Sequence, residues 1–599
     1  MKHSVRLRLL VAAGLVALAG VVAVSASGAK NGGNFNKIDH IVVIYEENHS
    51  FDNLYGGWEG VNGLANADAA HSTQIAQNGT PFTCLEQNDV NLALFASGCT
   101  TGFQAAPTAT PPNVFKNGPF AIDSFVPSSA TTCPKPNGAF ASHGFLNGTG
   151  LPGGCTADIV HRYYQEQFQI DGGKQDRYVQ GSDAEGLTMG NYDTTSLPIY
   201  QYLHSAGAPS YAISDNFFQG AFGGSFLNHQ VLIAAQAPVW DNVSNGGIGT
   251  ALDNSGSTTG GHNDLHSVVD VNGMPNNYPL YVSPLGSSVV DGALTASCSP
   301  GGTRPATPAG VTCGDYAVNT IQPWYPPYSA GTIDAKRLPP STMTTIGDEL
   351  SAKGVSWAWY SGGWANANGY TSEAGYTNGA GPTCSDPDAK SGSTWPVCPD
   401  VNFQYHHQPF AYYANFAPGK AARTEHLKDE AEMIAALKSS KGNCDLPAVS
   451  FDKPVGEENE HPGYTSEVRG SNHLVDLLKA IEGSGCAKNT MVVVTYDEFG
   501  GQWDHVPPPS ASNPIGPYDK WGPGTRIPAL VLAPKLPGQF VVDHTEHDTV
   551  SILTTIEHRF GLAALTNRDK NGNDLSSVWS GTTVVAKQGG DQGDDNNDQ

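Results

Sequence analysis

Two short stretches at opposite ends of the sequence have the residue types to bind a metal. The first is Ile41-Val42-Val43-Ile44-Tyr45-Glu46-Glu47-Asn48-His49-Ser50-Phe51-Asp52. The second is Met491-Val492-Val493-Val494-Thr495-Tyr496-Asp497-Glu498, continuing through Gly500-Gly501 to Asp504-His505. Each is an apolar, β-branched run that stops at a cluster of acids. Such runs read as strands buried on both faces, as in a parallel sheet. Acids after strands also serve as turn residues or helix caps. Two ends that each carry paired oxygen side chains are a different matter, because open α/β sheets build ligand sites just past the C-terminal ends of their strands. Glu47 and Asn48 beside Asp497 and Glu498 would cage one hard divalent cation in oxygen.

A nucleophile candidate stands in Phe222-Gly223-Gly224-Ser225-Phe226-Leu227-Asn228-His229. Ser225 occupies a glycine-rich turn that could open a helix, where backbone N–H groups would face an anion. Leu227 stands where a Gly-x-Ser-x-Gly elbow needs its second glycine, so no hydrolase elbow is present. A metal can replace the missing base by lowering the hydroxyl's pKa. Phosphoryl transfer also wants donors on the equatorial oxygens and an acid for the leaving group. His161, His407, His461 and His505 are candidates for those roles, although a lone histidine is more often structural.

The elements that must position these residues alternate. Strands are expected at 38–44, 210–213, 355–360, 448–451, 491–496 and 527–532. Helices are expected at 197–203, 345–353, 425–439, over Leu474-Leu477-Leu478-Ile481 with Gly483 and Gly485 ending it, and at 550–560. Leu474, Leu477, Leu478 and Ile481 form one apolar face. The alternation predicts an α/β fold, a mostly parallel central sheet with helices on both faces. Between the elements, 60–155, 240–335 and 362–402 are long and lack periodicity. Loops of that length are functional or pinned by cross-links, and these are read as cap insertions over the site.

The chain has 599 residues, 70 of them Gly and 41 Pro, and a formal charge of −25. That charge argues against nucleic acid, which demands clustered Lys and Arg. Lys2, Arg6 and Arg8 followed by an apolar run from Leu9 to Val24 read as an export signal over residues 1–26 rather than a membrane anchor. One large catalytic domain, with its cap insertions, is expected over 27–585, and an acidic disordered tail over 586–599. No stable membrane insertion is expected, and the protein should be exported, periplasmic or extracellular. The ten cysteines fall as near neighbours, predicting sequential disulfides 84–99, 133–155, 298–313, 384–398 and 444–486 in an oxidising compartment.

Glu47-Asn48-His49-Ser50-Phe51-Asp52 with Gly56 resembles the Glu-Asn-Arg-Ser-Phe-Asp signature of the bacterial phosphoesterase family, which holds non-haemolytic phospholipase C enzymes and respiratory-burst-inhibiting acid phosphatases. Further blocks agree: Asp171-Gly172-Gly173-Lys174, Met189-Gly190-Asn191-Tyr192 with Leu197-Pro198, Asp497-Glu498 through Asp504-His505-Val506-Pro507-Pro508, Arg526-Ile527-Pro528-Ala529, and Glu557-His558-Arg559-Phe560-Gly561. The resemblance implies an alkaline phosphatase-like fold and one divalent metal ion held by Glu47, Asn48, Ser225, Asp497 and Glu498. It implies Ser225 as nucleophile, with Asn48, His161, His407, His461 and His505 around the phosphate and His461 ahead of His161 as leaving-group acid. His49 stands for the family's Arg and Asn228-His229 for its Asn-Arg, so the site is expected to gain positive charge only in acid. Ser225, in place of the Gly-x-Thr-x-x-Asn pattern of the phospholipases, and a short C-terminus favour the acid phosphatase branch. The expected substrate is a small phosphomonoester or, as the alternative, a phospholipid head group. A non-catalytic secreted binding protein is the rival from another class.

Overall fold

The computed structural model describes residues 34–585 apart from scattered gaps, the longest being 87–113, 130–153, 239–266, 270–278, 291–311 and 510–520. Nine strands make the central sheet: β1 (His40–Glu46), β2 (Tyr211–Ser214), β3 (Trp357–Ser361), β4 (Leu427–Asp429), β5 (Val449–Lys453), β6 (Thr490–Tyr496), β7 (Ala529–Leu532), β8 (Phe540–Asp543) and β9 (Thr582–Val584). Their order is β4-β3-β5-β1-β6-β7-β2-β8-β9. From β4 to β6 every neighbour is parallel; β7 runs antiparallel to both β6 and β2, β8 is parallel to β2, and β9 closes the edge antiparallel. The sheet is therefore mostly parallel, as the alternating elements predict.

β1 and β6 lie side by side at the centre, with Ile44 opposite Val494 and Glu46 opposite Tyr496. Ile41 to Tyr45 and Met491 to Val494 are buried throughout. This explains the unbroken apolar runs, since a strand covered on both faces has no polar side to present. The two acid clusters leave the sheet together because their strands are parallel and in register.

The helices used below are α1 (Phe51–Leu54), α2 (Tyr163–Ile170), α3 (Pro198–Leu203), α4 (Ser225–Ala234), α5 (Ile346–Lys353), α6 (Glu430–Ser439), α7 (Glu467–Glu482) and α8 (Val550–Phe560). They pack in two groups, α7 with α3 and α6, and α4 with α5 and α8. α7 buries Leu474, Leu477, Leu478 and Ile481 and ends at Gly483, as its periodicity requires. One expectation is corrected. The span 425–439 is not a single helix: a short helix ends at His426, Leu427–Asp429 forms edge strand β4, and α6 starts afresh at Glu430. Asp429 caps α6 with a reciprocal capping box to Glu432, and that cap stops the pattern from running through.

Disulfides join Cys384 to Cys398 and Cys444 to Cys486, as the spacing suggests. Cys84 and Cys155 are also disulfide-bonded; the pairs predicted for them, and 298–313, fall partly or wholly outside the described residues. So do the leader at 1–26, the tail at 586–599 and most of the stretches read as a cap. The segment 362–402 is described and carries the Cys384–Cys398 bridge. Among the described residues no helix is long and apolar enough to cross a membrane.

Candidate active site

The site forms where β1, β6 and the start of α4 meet. Asp497 N donates to Glu46 O at 3.1 Å, tying the two strand ends together. The backbone then turns sharply. Asn48 adopts a left-handed conformation with φ of 63°, which asparagine tolerates better than most residues. Gly500, with φ of 63°, must be glycine, since a Cβ there would sit 2.2 Å from the Asn48 carbonyl oxygen. These turns bring carboxylate atoms of Glu47, Asp497 and Glu498 within 4.8 Å of one another. All three side chains, and Asn48, are fully buried.

Ser225 is the first residue of α4. Its hydroxyl donates to Glu47 Oε2 at 3.1 Å, with Glu498 Oε1 at 3.5 Å. The loop that presents it is built to one shape. Gly223 has φ of 91°, and a Cβ there would meet the Tyr163 backbone nitrogen at 2.6 Å. Glu166 on α2 accepts from Gly223 N, Thr525 N and the Gln219 amide. Asn228 accepts from Ala221 N at 2.8 Å and donates to Ala221 O and Gly223 O. The Asn of the expected Asn-Arg pair thus braces the nucleophile loop.

Three of the predicted histidines surround this cluster. His407 Nε2 lies 2.9 Å from Glu47 Oε1, His161 Nε2 lies 3.4 Å from Glu498 Oε1, and His461 Nε2 lies 3.8 Å from Glu47 Oε2. His461 is held on both sides: Asn48 Nδ2 is 2.9 Å from its Nε2, and Pro462 O is 2.6 Å from its Nδ1. His229 stacks on His407 with ring centroids 5.0 Å apart. His505 is placed elsewhere. It sits with Asp52, Asp504 and Arg526, its Nδ1 against Asp52 and its Nε2 3.3 Å from Asn62 Oδ1. Arg526 is completely buried there, bonded to Asp52 at 3.0 Å, to Asp504 at 3.1 Å, and to the carbonyls of Asn62 and Asp215. The Phe-Asp, Asp-His and Arg-Ile-Pro blocks therefore meet in a structural clamp. His505 is drawn into it by Asp52 on α1, which faces both its backbone N–H and its Nδ1.

Lys453 was not singled out from the sequence. It ends β5, contacts Glu47 Oε1, and donates to Tyr45 O at 2.8 Å and Glu46 O at 3.2 Å. The signal was available, because Asp452-Lys453 follows the apolar run 448–451 as the acids follow β1 and β6.

The electrostatics fit a cation. Burial alone would raise the Glu47 carboxyl, but His407 and Lys453 hold it well below the usual carboxylate range. Burial and then Glu47 push Asp497 well above that range; burial and then Asp497 do the same to Glu498. A divalent ion among the three relieves that repulsion. Asp497 Oδ2 and Asn48 Oδ1 are buried and take no hydrogen bond, which suits two further ligand atoms. Glu47, Asn48, Ser225, Asp497 and Glu498 have the donor set for such an ion.

Burial makes the acid needed to charge His49 and His229 stronger than an exposed imidazole requires. Both His49 nitrogens face acceptors, Asn53 Oδ1 at 2.5 Å and Glu460 O at 3.0 Å, yet burial pulls its pKa down to about 4. Burial likewise pulls His229 well down. The wider protonation pattern predicts how stability follows pH. Burial raises Glu166, Glu460 and Glu467 to about 8. The folded protein keeps protons there that the unfolded chain releases near pH 4.5, so stability should fall as pH rises through 8. His49 and His407, lowered to about 4, act oppositely and lose stability as pH falls from about 6.5 towards 4. Thermal melts across pH should peak in the weakly acidic range, and Glu467→Gln should flatten the alkaline side; a flat profile from pH 6 to 9 would contradict this.

Fold and site together describe a buried acidic cage at the C-terminal ends of parallel strands, with the hydroxyl of a serine at a helix start against two of its carboxylates. The profile of the Phosphoesterase family matches residues 38–563, and the chain belongs to that family. It is similar to non-hemolytic phospholipase C of Burkholderia pseudomallei, 29% identical over 25% of this chain and 25% of that protein. It is similar to phospholipase C B of Mycobacterium tuberculosis, 32% identical over 23% of this chain and 30% of that protein. It also resembles non-specific phospholipase C6 of Arabidopsis thaliana, 29% identical over 25% and 33%. These matches span about a quarter to a third of the curated relatives' own length. A solved structure in the alkaline phosphatase superfamily from Vibrio parahaemolyticus is 14% identical over 39% of this chain and 51% of its own, at a TM-score of 0.20, and adds nothing to the fold derived above.

Proposed function

We propose that this protein is an exported, metal-dependent phosphatase that hydrolyses small phosphomonoesters in acid through a phosphoserine intermediate. The observation that carries the reading is the contact of the Ser225 hydroxyl with Glu47 and Glu498 inside a buried carboxylate cluster. Glu47, Asn48, Asp497, Glu498 and Ser225 would hold a divalent ion, which when bound would lower the pKa of the hydroxyl and neutralise charge developing on the phosphoryl oxygens. Glu47 Oε2, which accepts the hydrogen bond of the Ser225 hydroxyl, takes its proton as Oγ attacks and returns it to Oγ when phosphate is released. Ser225 Oγ attacks phosphorus in line, and the bond to the alcohol breaks on the far side. The N-terminus of α4 presents backbone N–H groups to the anion, and His407 and His461 flank it.

For the leaving-group proton the geometry favours His161 over His461. Asn48 Nδ2 faces His461 Nε2, whereas His161 keeps its side chain 18% exposed beside Glu498. The departing alcohol must reach solvent, and His161 is the more exposed of the two histidines. Once neutral, His161 takes a proton from the water that releases phosphate. Disulfides fit an exported protein, and the stability maximum expected in weak acid fits acid operation.

A second reading, a phospholipase C-type phosphodiesterase, is favoured by the names of the matched relatives. Initial rates on p-nitrophenyl phosphate and p-nitrophenyl phosphorylcholine separate the two. The phosphatase reading predicts the larger kcat/KM on the monoester. Activity should vanish with chelator and return with added Mn2+, Zn2+ or Ca2+. Preference for the choline diester would overturn the monoester assignment, and full activity in chelator would overturn the metal.

A further inference from the structure

A second cluster of buried ionisable groups lies across the sheet from Lys453. Side chains alternate along a strand, so Glu46 and Asp452 leave the face that carries Tyr45 and Lys453. Ile44 and Asp452 are register partners in the parallel β1–β5 pair, which puts Glu46 and Asp452 on the same face. There α6 brings Glu430, α7 brings His473, and the loop after β5 brings Glu458. Ligand atoms of Glu430, Glu458 and His473 lie within 4.8 Å of one another. His473 Nε2 is 2.8 Å from Glu430 Oε1, and its Nδ1 is 3.8 Å from Glu458 Oε1.

Glu46, Glu430, Asp452, Glu458 and His473 are all completely buried. Four carboxyls and one imidazole leave a large deficit of positive charge, and buried carboxylates need pairing or a metal. The Lys453 ammonium is engaged with Tyr45 O, Glu46 O and Glu47. Neither side-chain oxygen of Glu46 takes a hydrogen bond, and the Asp452 carboxyl has that of Glu430 for a partner. The strand register puts both fully buried carboxyls on the sheet face that carries the cluster. Native proteins rarely leave so many buried acceptors unused. An imidazole whose second nitrogen is fixed by a carboxylate is the usual arrangement around a bound metal.

We propose that Glu46, Glu430, Asp452, Glu458 and His473 hold a second divalent cation, structural rather than catalytic, that fastens β1 and β5 to α6 and α7 beneath the active site. A mixed imidazole and carboxylate set suits Mn2+ or Zn2+. This site does not depend on the phosphoester reading.

The test is metal content by mass spectrometry on full-length protein loaded with Mn2+ or Zn2+ and desalted. Wild type should hold one more ion per chain than the Glu47→Gln/Asp497→Asn variant. That variant should remain folded, keep an ion, and still lose thermal stability to chelator. The Asp452→Asn/Glu430→Gln variant should lose one ion and keep the other. A folded Glu47→Gln/Asp497→Asn protein without any metal would overturn the proposal, as would wild-type metal content in Asp452→Asn/Glu430→Gln. If the latter pair does not fold, the ion retained by the former and its chelator response decide. Loss of an ion from Asp452→Asn/Glu430→Gln alongside chelator-insensitive turnover would sink the catalytic metal and leave this site standing.

Discussion

Ser225→Ala is expected to lower kcat by about four orders of magnitude or more, in line with removal of other covalent nucleophiles. The fold should not change. Ser225 contributes one hydroxyl to the cage, while the loop that carries it is held by Glu166, Asn228 and Gly223, none of which the substitution touches. Far-UV and near-UV circular dichroism should match wild type, and Tm should move little. Metal should still bind through the remaining oxygens. Wild-type turnover in this variant would remove the nucleophile from the scheme and with it the phosphoserine.

Arg526→Ala should behave in the opposite way, costing about 3–5 kcal/mol of stability as breakage of a buried ion pair does. The guanidinium reaches Asp52, Asp504 and two carbonyls with no exposure to water. Its removal would leave the buried Asp504 carboxylate without its cation and Asp52 with His505 alone, and only the Asp52 N–Asp504, His505 N–Asp52 and Ser50–Trp503 hydrogen bonds would still tie the segments after β1 and β6. Arg526→Lys should recover only part of the loss, since an ammonium cannot bond both acids and both carbonyls in the planar fork geometry. Urea denaturation measures both variants. A loss under about 1 kcal/mol for the alanine variant, the range of an exposed pair, would mean the clamp is not what joins the two loops.

The contrast between these residues shows what a sequence can and cannot convey. The strands were legible because burial on both faces leaves an unbroken apolar run, and Ile41 to Tyr45 and Met491 to Tyr496 have no other reading. Glu47, Asn48, Asp497 and Glu498 followed from their position just beyond those runs. What stayed hidden was pairing across the sheet. Lys453 has the same position at the end of β5, but nothing in its neighbours shows that its ammonium crosses to Glu47. Asp52 and Asp504 look as much like metal ligands as Glu47 and Asp497 do; the arrival of Arg526 between them, with His505 alongside, shows only in three dimensions. Edge strand β4 was lost because Leu427–Asp429 continues a helical pattern, and a capping box at Asp429 interrupts it. The effect of burial on His49 and His229 was also out of reach, since a residue's desolvation belongs to its surroundings rather than its type.

Attack of Ser225 on phosphorus from within the carboxylate cage is the central step of the proposed reaction. The most direct measurement is rapid acid quench of the enzyme during turnover of p-nitrophenyl phosphate, followed by peptide mapping by mass spectrometry. A phosphoryl group on Ser225, formed at a rate that matches turnover and missing from Ser225→Ala, is the expected result. Steady turnover with no adduct on Ser225, or an adduct on another side chain, would contradict it.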